Sequence, residues 1–174
     1  MPIPEGLDVL QSGDDVVISR SWRTWIVLAM FPFLIFWFGF LGFWYYHAFT
    51  HPNTPITMFL FPLLHLGAGV AFGYFAVCSL VNRTDVIISG SRVRCAIGPL
   101  PWWGSRDVPS EDIHGVNVRE RWGNRGSVNY RNSVTYSVMY VDSENRERTL
   151  ISAIPREEQA EFIAASIQEI LGLD

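Results

Sequence analysis

Apolar residues run almost without interruption from Trp25 to Val81, and no Asp, Glu, Lys or Arg occurs between Arg23 and Arg83. The uncharged stretch is 59 residues long and rich in Phe, Leu, Trp, Gly and Ala. A soluble domain of this size turns a polar face to water, whereas a bilayer-spanning helix needs about 20 mostly apolar residues. The segment His51 to Pro55 divides the stretch, which predicts two membrane helices over Trp25–Thr50 and Ile56–Val81. Pro32 and Pro62 are placed about two turns into their helices, where neighbours must satisfy the freed carbonyls. Gly67, Gly69 and Gly73 make a small-residue face, whose partner is either the first helix, through Gly39 and Gly42, or another protein.

After Asn82 the apolar period changes to that of strands. Asp85 to Ser89 and Arg92 to Ile97, around Gly90 and Ser91, predict a hairpin with Arg92 and Arg94 on one face and Val93 and Cys95 on the other. Two prolines keep residues 98–104 out of a central strand. Further strands are predicted at Ser105–Val108, Gly115–Arg121, Val134–Val141 and Glu147–Ser152, with a polar loop over residues 123–132. Pro155, Glu157 and Glu158 suit the first turn of a helix. Phe162, Ile163, Ile167, Ile170 and Leu171 share one of its faces, and Gly172 stops it. Upstream of the spans, Met1–Asp15 reads as an irregular acidic segment and Val16–Ser19 as a short strand able to join the sheet. The predicted class is a membrane α-helical hairpin plus an α+β soluble domain: residues 1–23, then 24–82, then 83–174.

Charge adds an orientation. Arg20 and Arg23 precede the first span, Arg83, Arg92 and Arg94 follow the second, and the connecting turn has no basic residue. The positive-inside rule therefore puts both termini in the cytoplasm and the His51–Pro55 turn outside. The first 19 residues are acidic and hold no basic residue, unlike a signal peptide, so the first span is expected to stay as an anchor. All thirteen basic residues are Arg, and the net charge of −4 shows no clustered basic surface for nucleic acid. Cys78 and Cys95 form no CxxC motif and make a poor disulfide pair.

The element order, with the phrases Val81-Asn-Arg-Thr84 and Gly98-Pro-Leu-Pro-Trp-Trp-Gly104, resembles the bacterial membrane-anchored pleckstrin-homology-like (bacterial PH) proteins. The resemblance covers Arg20 to Leu173. It implies two transmembrane helices followed by a PH-like antiparallel β-barrel of six to seven strands, plugged by a C-terminal helix. It implies no common activity and no catalytic set, since fold alone does not settle function. Eukaryotic relatives often bind inositol phosphates through basic residues of the first hairpin. Here only Arg92 and Arg94 approximate that position, without Lys, so the resemblance supports no such site.

Candidate chemistry is sparse. His65, inside the second span, is the one candidate cofactor ligand, for haem or a chlorophyll-type pigment, because intramembrane ionisable residues are functional candidates. His47 is a poor second ligand, lying at a depth that differs by roughly 9 Å. Trp102 and Trp103, in a proline-stiffened loop, suit a membrane interface or a partner. Arg119, Arg121 and Arg125, beside Trp122, suit anionic lipid heads or an acidic protein face. His114 follows Glu111 and Asp112, but no nucleophile motif, phosphate-binding loop or zinc spacing is present. The reading is a non-enzymatic interaction or scaffold protein, an accessory subunit of a larger membrane complex such as a respiratory or photosynthetic one. Its partners are integral membrane subunits and lipids; the alternatives are a pigment- or haem-binding subunit and a stand-alone lipid-binding module.

Overall fold

The computed structural model describes residues 2–23, 25–122 and 134–173. They divide into two compact units, Trp22–Asn82 and a discontinuous one made of Met1–Ser21 and Arg83–Asp174.

The apolar unit is a helical hairpin. A 3-10 turn over Trp25–Ala29 leads into helix α1, Met30–Thr50, and helix α2 covers Thr57–Val81. Pro32 is thus in the first α-helical turn of α1 rather than two turns in. Its missing N–H is among those that have no intrahelical partner there anyway. Both helices are long and apolar enough to cross a membrane, over Val27–Thr50 and Thr57–Val81. Only 17% and 22% of their most apolar windows are buried within the molecule. Ile35, Phe36, Phe49 and Leu64 all point outward with more than two thirds of their surface exposed.

Among the described residues the second unit holds eight antiparallel strands and the helix α3. Strands β1 (Leu7–Ser12), β2 (Asp15–Ser21), β3 (Arg83–Ile88), β4 (Arg92–Gly98) and β5 (Arg106–Pro109) form a sheet in chain order. Strands β6 (Gly115–Arg121), β7 (Thr135–Val141) and β8 (Glu147–Ile154) form a second sheet, also in chain order. Both sheets and helix α3 (Glu157–Leu171) feed one core, in which Ile18, Ile88, Val93, Val138, Leu150, Ile154 and Ile167 are almost wholly buried. At the end of α3, Gly172 is left-handed at φ +64°, its N–H donates to Glu169, and the Leu173 N–H donates back to Gln168. Glycine is favoured there because a Cβ would be strained at that φ.

Two expectations need correction. The sheets do not close into a barrel: among the described residues no ladder joins β5 to β6 or β8 to β1. Pro109, at the end of β5, has no N–H to offer, and a 3-10 turn over Ser110–Asp112 carries the chain away before β6 begins. The acidic N-terminus is not irregular either. Leu7–Ser12 pairs with Asp15–Ser21 through a two-residue turn, with Gly13 at φ +65° in its first position, as such hairpins favour. It supplies the strand by which the sheets exceed the six or seven expected.

Because β2 and β3 are paired neighbours, with Ser21 opposite Arg83, the apolar unit is an insertion within a β-hairpin. Hydrophobic contact and ladder hydrogen bonds hold residues 7–21 to a domain whose remainder starts some sixty residues later.

Candidate functional site

The hairpin helices are joined by aromatic side chains that bond to backbone. Pro62 has no N–H, so the carbonyl four residues earlier, Met58, loses its helical donor. Trp44 on α1 fills that place: its indole Nε1–H donates to the Met58 carbonyl at 3.0 Å. The adjoining Phe59 carbonyl accepts the Tyr45 hydroxyl at 3.2 Å. Farther along, Trp37 Nε1–H donates to the His65 carbonyl at 3.0 Å. Other polar side chains of the unit do likewise: Thr50, His51 and Ser79 all bond carbonyls of their own helix. An apolar solvent demands this internal satisfaction of polar groups.

Of the five glycines expected to pack helices, one does so within the hairpin. A Cβ at Gly69 would come within 3.0 Å of both Trp37 and Phe38, so the absent side chain makes room for the indole. A Cβ at Gly39, Gly42, Gly67 or Gly73 would meet open space.

His65 lies beside Trp37 and Phe61, with ring centroids 5.8 and 5.0 Å away, and its Nδ1 is 3.4 Å from the Phe61 carbonyl of its own helix. Among the described residues no second imidazole neighbours it. His47 and His51 instead pair with each other, at 5.3 Å, and line a groove of about 610 Å³ with Phe43, Trp44, Pro55 and Met58. Among the described residues no three His, Cys, Asp or Glu side chains converge on a possible metal site.

In the β unit, Trp102 and Trp103 stack at 4.5 Å, and Trp103 stays 79% exposed. Trp122, at the end of β6, is 60% exposed. Arg119 is ion-paired with Glu147 across the second sheet, while Arg121 points to solvent. Arg125 lies outside the described residues. In the first hairpin Arg92 is paired with Asp107, which lowers its availability to an anion. His114 is exposed. Cys78 and Cys95 are both free and buried. Burial pushes the Cys95 thiol up to about 11, with Arg20 and Arg106 only partly opposing it, so it stays a neutral, unreactive thiol.

Three polar groups carry more structure than their sequence positions suggested. Asp142 accepts the backbone N–H groups of Glu144 and Arg146 at 3.0 and 2.9 Å, and Arg148 Nε at 2.6 Å. These bonds hold its carboxyl down at about 2. Arg20 and Gln159 line a cleft of about 240 Å³ with Glu5, Gly6 and Arg156. Sequence offered one clue to the cleft: Arg20 occupies the same parity as Val16 and Ile18 in a strand that alternates. No family model matches this chain, and no curated protein matches it with significant similarity.

Proposed function

We propose that this is a two-pass inner-membrane protein of bacterial type whose helical hairpin packs into a larger integral complex. Its PH-like β unit is the non-catalytic contact module on the cytoplasmic face, where both termini lie. The observation that carries the reading is the exposed apolar surface of α1 and α2, combined with polar side chains bonded to carbonyls inside the hairpin. Water would penalise that surface, and hydrocarbon favours it. The open glycines Gly39, Gly42, Gly67 and Gly73 would let a further transmembrane helix approach closely. Trp103 and Trp122, exposed on the β unit, offer aromatic anchors of the type that dominate protein interfaces.

Mild-detergent solubilisation of native membranes followed by affinity capture tests this reading. Stoichiometric integral membrane subunits should co-purify, and bulky substitution of Gly73 or Gly42 should release them. Recovery in the carbonate-extractable fraction, or only as a monomer, would count against it.

A further inference from the structure

Strand register puts the loop of residues 98–104 at one particular end of the first sheet. Ser21, which precedes the apolar unit, lies opposite Arg83, which follows it, and Arg83 in turn lies opposite Gly98. Strand β4 runs toward this end, the loop extends beyond it, and β5 starts back from Arg106, opposite Cys95. Paired strand residues are about 5 Å apart and two residues span at most about 7 Å, so Gly98 lies within about 12 Å of Val81, the last residue of α2. Chain length alone sets that bound, whatever the arrangement of the two units. The five residues from Gly98 to Trp103 reach up to about 17 Å, enough to cover the separation.

The loop is shaped to present its aromatic side chains. The Ile97 N–H donates to Ser105 Oγ at 3.1 Å, which ties the two ends of the loop together. Gly104 turns at φ +110°, which glycine adopts without strain, and a Cβ there would meet Ile97 at 3.3 Å. Pro99 and Pro101 fix two further backbone angles. Trp102 and Trp103 stack on each other outside the core that the two sheets share. Trp103 thus holds a large apolar surface in water on a stiff support. No charge interrupts residues 98–105, and the exposed Arg106 follows directly. The far end of the sheet has another character. Its turns at Gly13–Asp14, Gly90–Ser91 and Ser110–Asp112 carry the exposed carboxylates of Asp14, Glu111 and Asp112 and no aromatic side chain.

We propose that residues 98–104 are a lipid anchor, whose Trp102–Trp103 pair enters the boundary between headgroups and acyl chains of the bilayer that α1 and α2 cross. Tryptophan suits that boundary because its ring is apolar while its N–H needs a polar partner. A protein surface would accept the same side chains, but the bilayer is the surface that chain length brings within reach. The anchor rests on the membrane reading above and adds an orientation to it: the tryptophan end of the sheet faces lipid and the carboxylate end faces away. Of the two exposed tryptophans named above, Trp103 is therefore assigned to lipid, and Trp122 keeps the protein contact.

The test uses the full chain in nanodiscs of phosphatidylcholine and phosphatidylglycerol, with a nitroxide attached through Trp103→Cys, Ser91→Cys or Leu64→Cys. Each of these positions is exposed, whereas Cys78 and Cys95 are buried, so the wild type should take up no label. Power-saturation EPR compares collisions with oxygen, which concentrates in lipid, and with a water-soluble nickel chelate. Labels at positions 103 and 64 should favour oxygen, and the label at 91 the nickel chelate. Nickel preference at 103 with oxygen preference at 64 overturns the anchor and leaves the membrane reading intact. Nickel preference at both overturns the two together. Shielding of position 103 from both reagents overturns the lipid assignment in favour of a protein contact. Fluorescence reads the native side chain: the emission lost in Trp103→Phe, taken as a difference from wild type, should be quenched by dibrominated phosphatidylcholine. A difference that this lipid leaves unquenched overturns the anchor. Because Trp103 lies outside the core, both substitutions should melt as the wild type does.

Discussion

At the scale of single residues, two positions separate what local pattern shows from what neighbours decide. Gly69 and Gly73 form one GxxxG pair in the sequence, yet only Gly69 has a side chain pressed against it. Gly69→Leu should therefore destabilise the hairpin by about 1–3 kcal/mol, the usual range for overpacking. Gly67→Leu, facing open space, should leave it unchanged; thermal unfolding in detergent compares the two. Asp142 gives a pH signature. Its carboxyl lies at about 2 in the fold against an ordinary 3.8, chiefly through the Arg146 backbone N–H and then Arg148. A depressed folded value means that the stabilisation is complete above about pH 4 and lost as pH falls toward 2. Melting temperatures between pH 5 and 2 should fall for the wild type and fall less for Asp142→Asn, which starts lower because the charged acceptor is gone.

At the scale of elements, the α1–α2 pairing depends on the backbone defect that Pro62 creates. The indole of Trp44 stands in for the N–H that Pro62 lacks at Met58. Trp44→Phe should lose about 0.6 kcal/mol of hairpin stability, the typical size of an interhelical hydrogen bond in a bilayer. In a Pro62→Ala background the helix supplies its own donor, so the same substitution should have a smaller effect. A double-mutant cycle on unfolding free energies measures the difference, and additive effects would sink the interpretation. Here the sequence was informative about the helices and silent about their contact. The uncharged run and the two prolines are visible one residue at a time, whereas the indole that reaches Met58 depends on how two helices face each other. The strands behaved alike: alternation located β3, β4, β6, β7 and β8 within a residue or two, while the pairing of Leu7–Ser12 needed a partner strand to be seen. Its acidic, glycine-containing surroundings carry the composition of a loop.

At the scale of the whole molecule, the apolar hairpin interrupts a β unit at a site where the chain leaves and returns on paired strands. Residues 2–21 joined to 83–174 through a short turn should therefore fold as a soluble domain with cooperative melting, since Ser21 already lies opposite Arg83. Residues 83–174 alone would lose two strands and the core side chains Leu7 and Ile18, and should aggregate or remain unfolded. Circular dichroism melts and size-exclusion profiles of the two fragments distinguish the outcomes. Within the joined form, Ile18→Ala should lose about 2–5 kcal/mol, as a fully buried branched side chain does. The sequence by itself determined that two helices are long and apolar enough for a bilayer and that a strand-rich segment with a closing helix follows. Those properties reside in local period and in the absence of charge, which hydrocarbon thickness and backbone hydrogen bonding translate directly into elements. Only the tertiary structure decided that the sheets stay two, that the N-terminus belongs to the distal domain, and that Arg20 faces inward beside Gln159. Each depends on which surfaces are buried against one another across long chain separations, and no local period carries that choice.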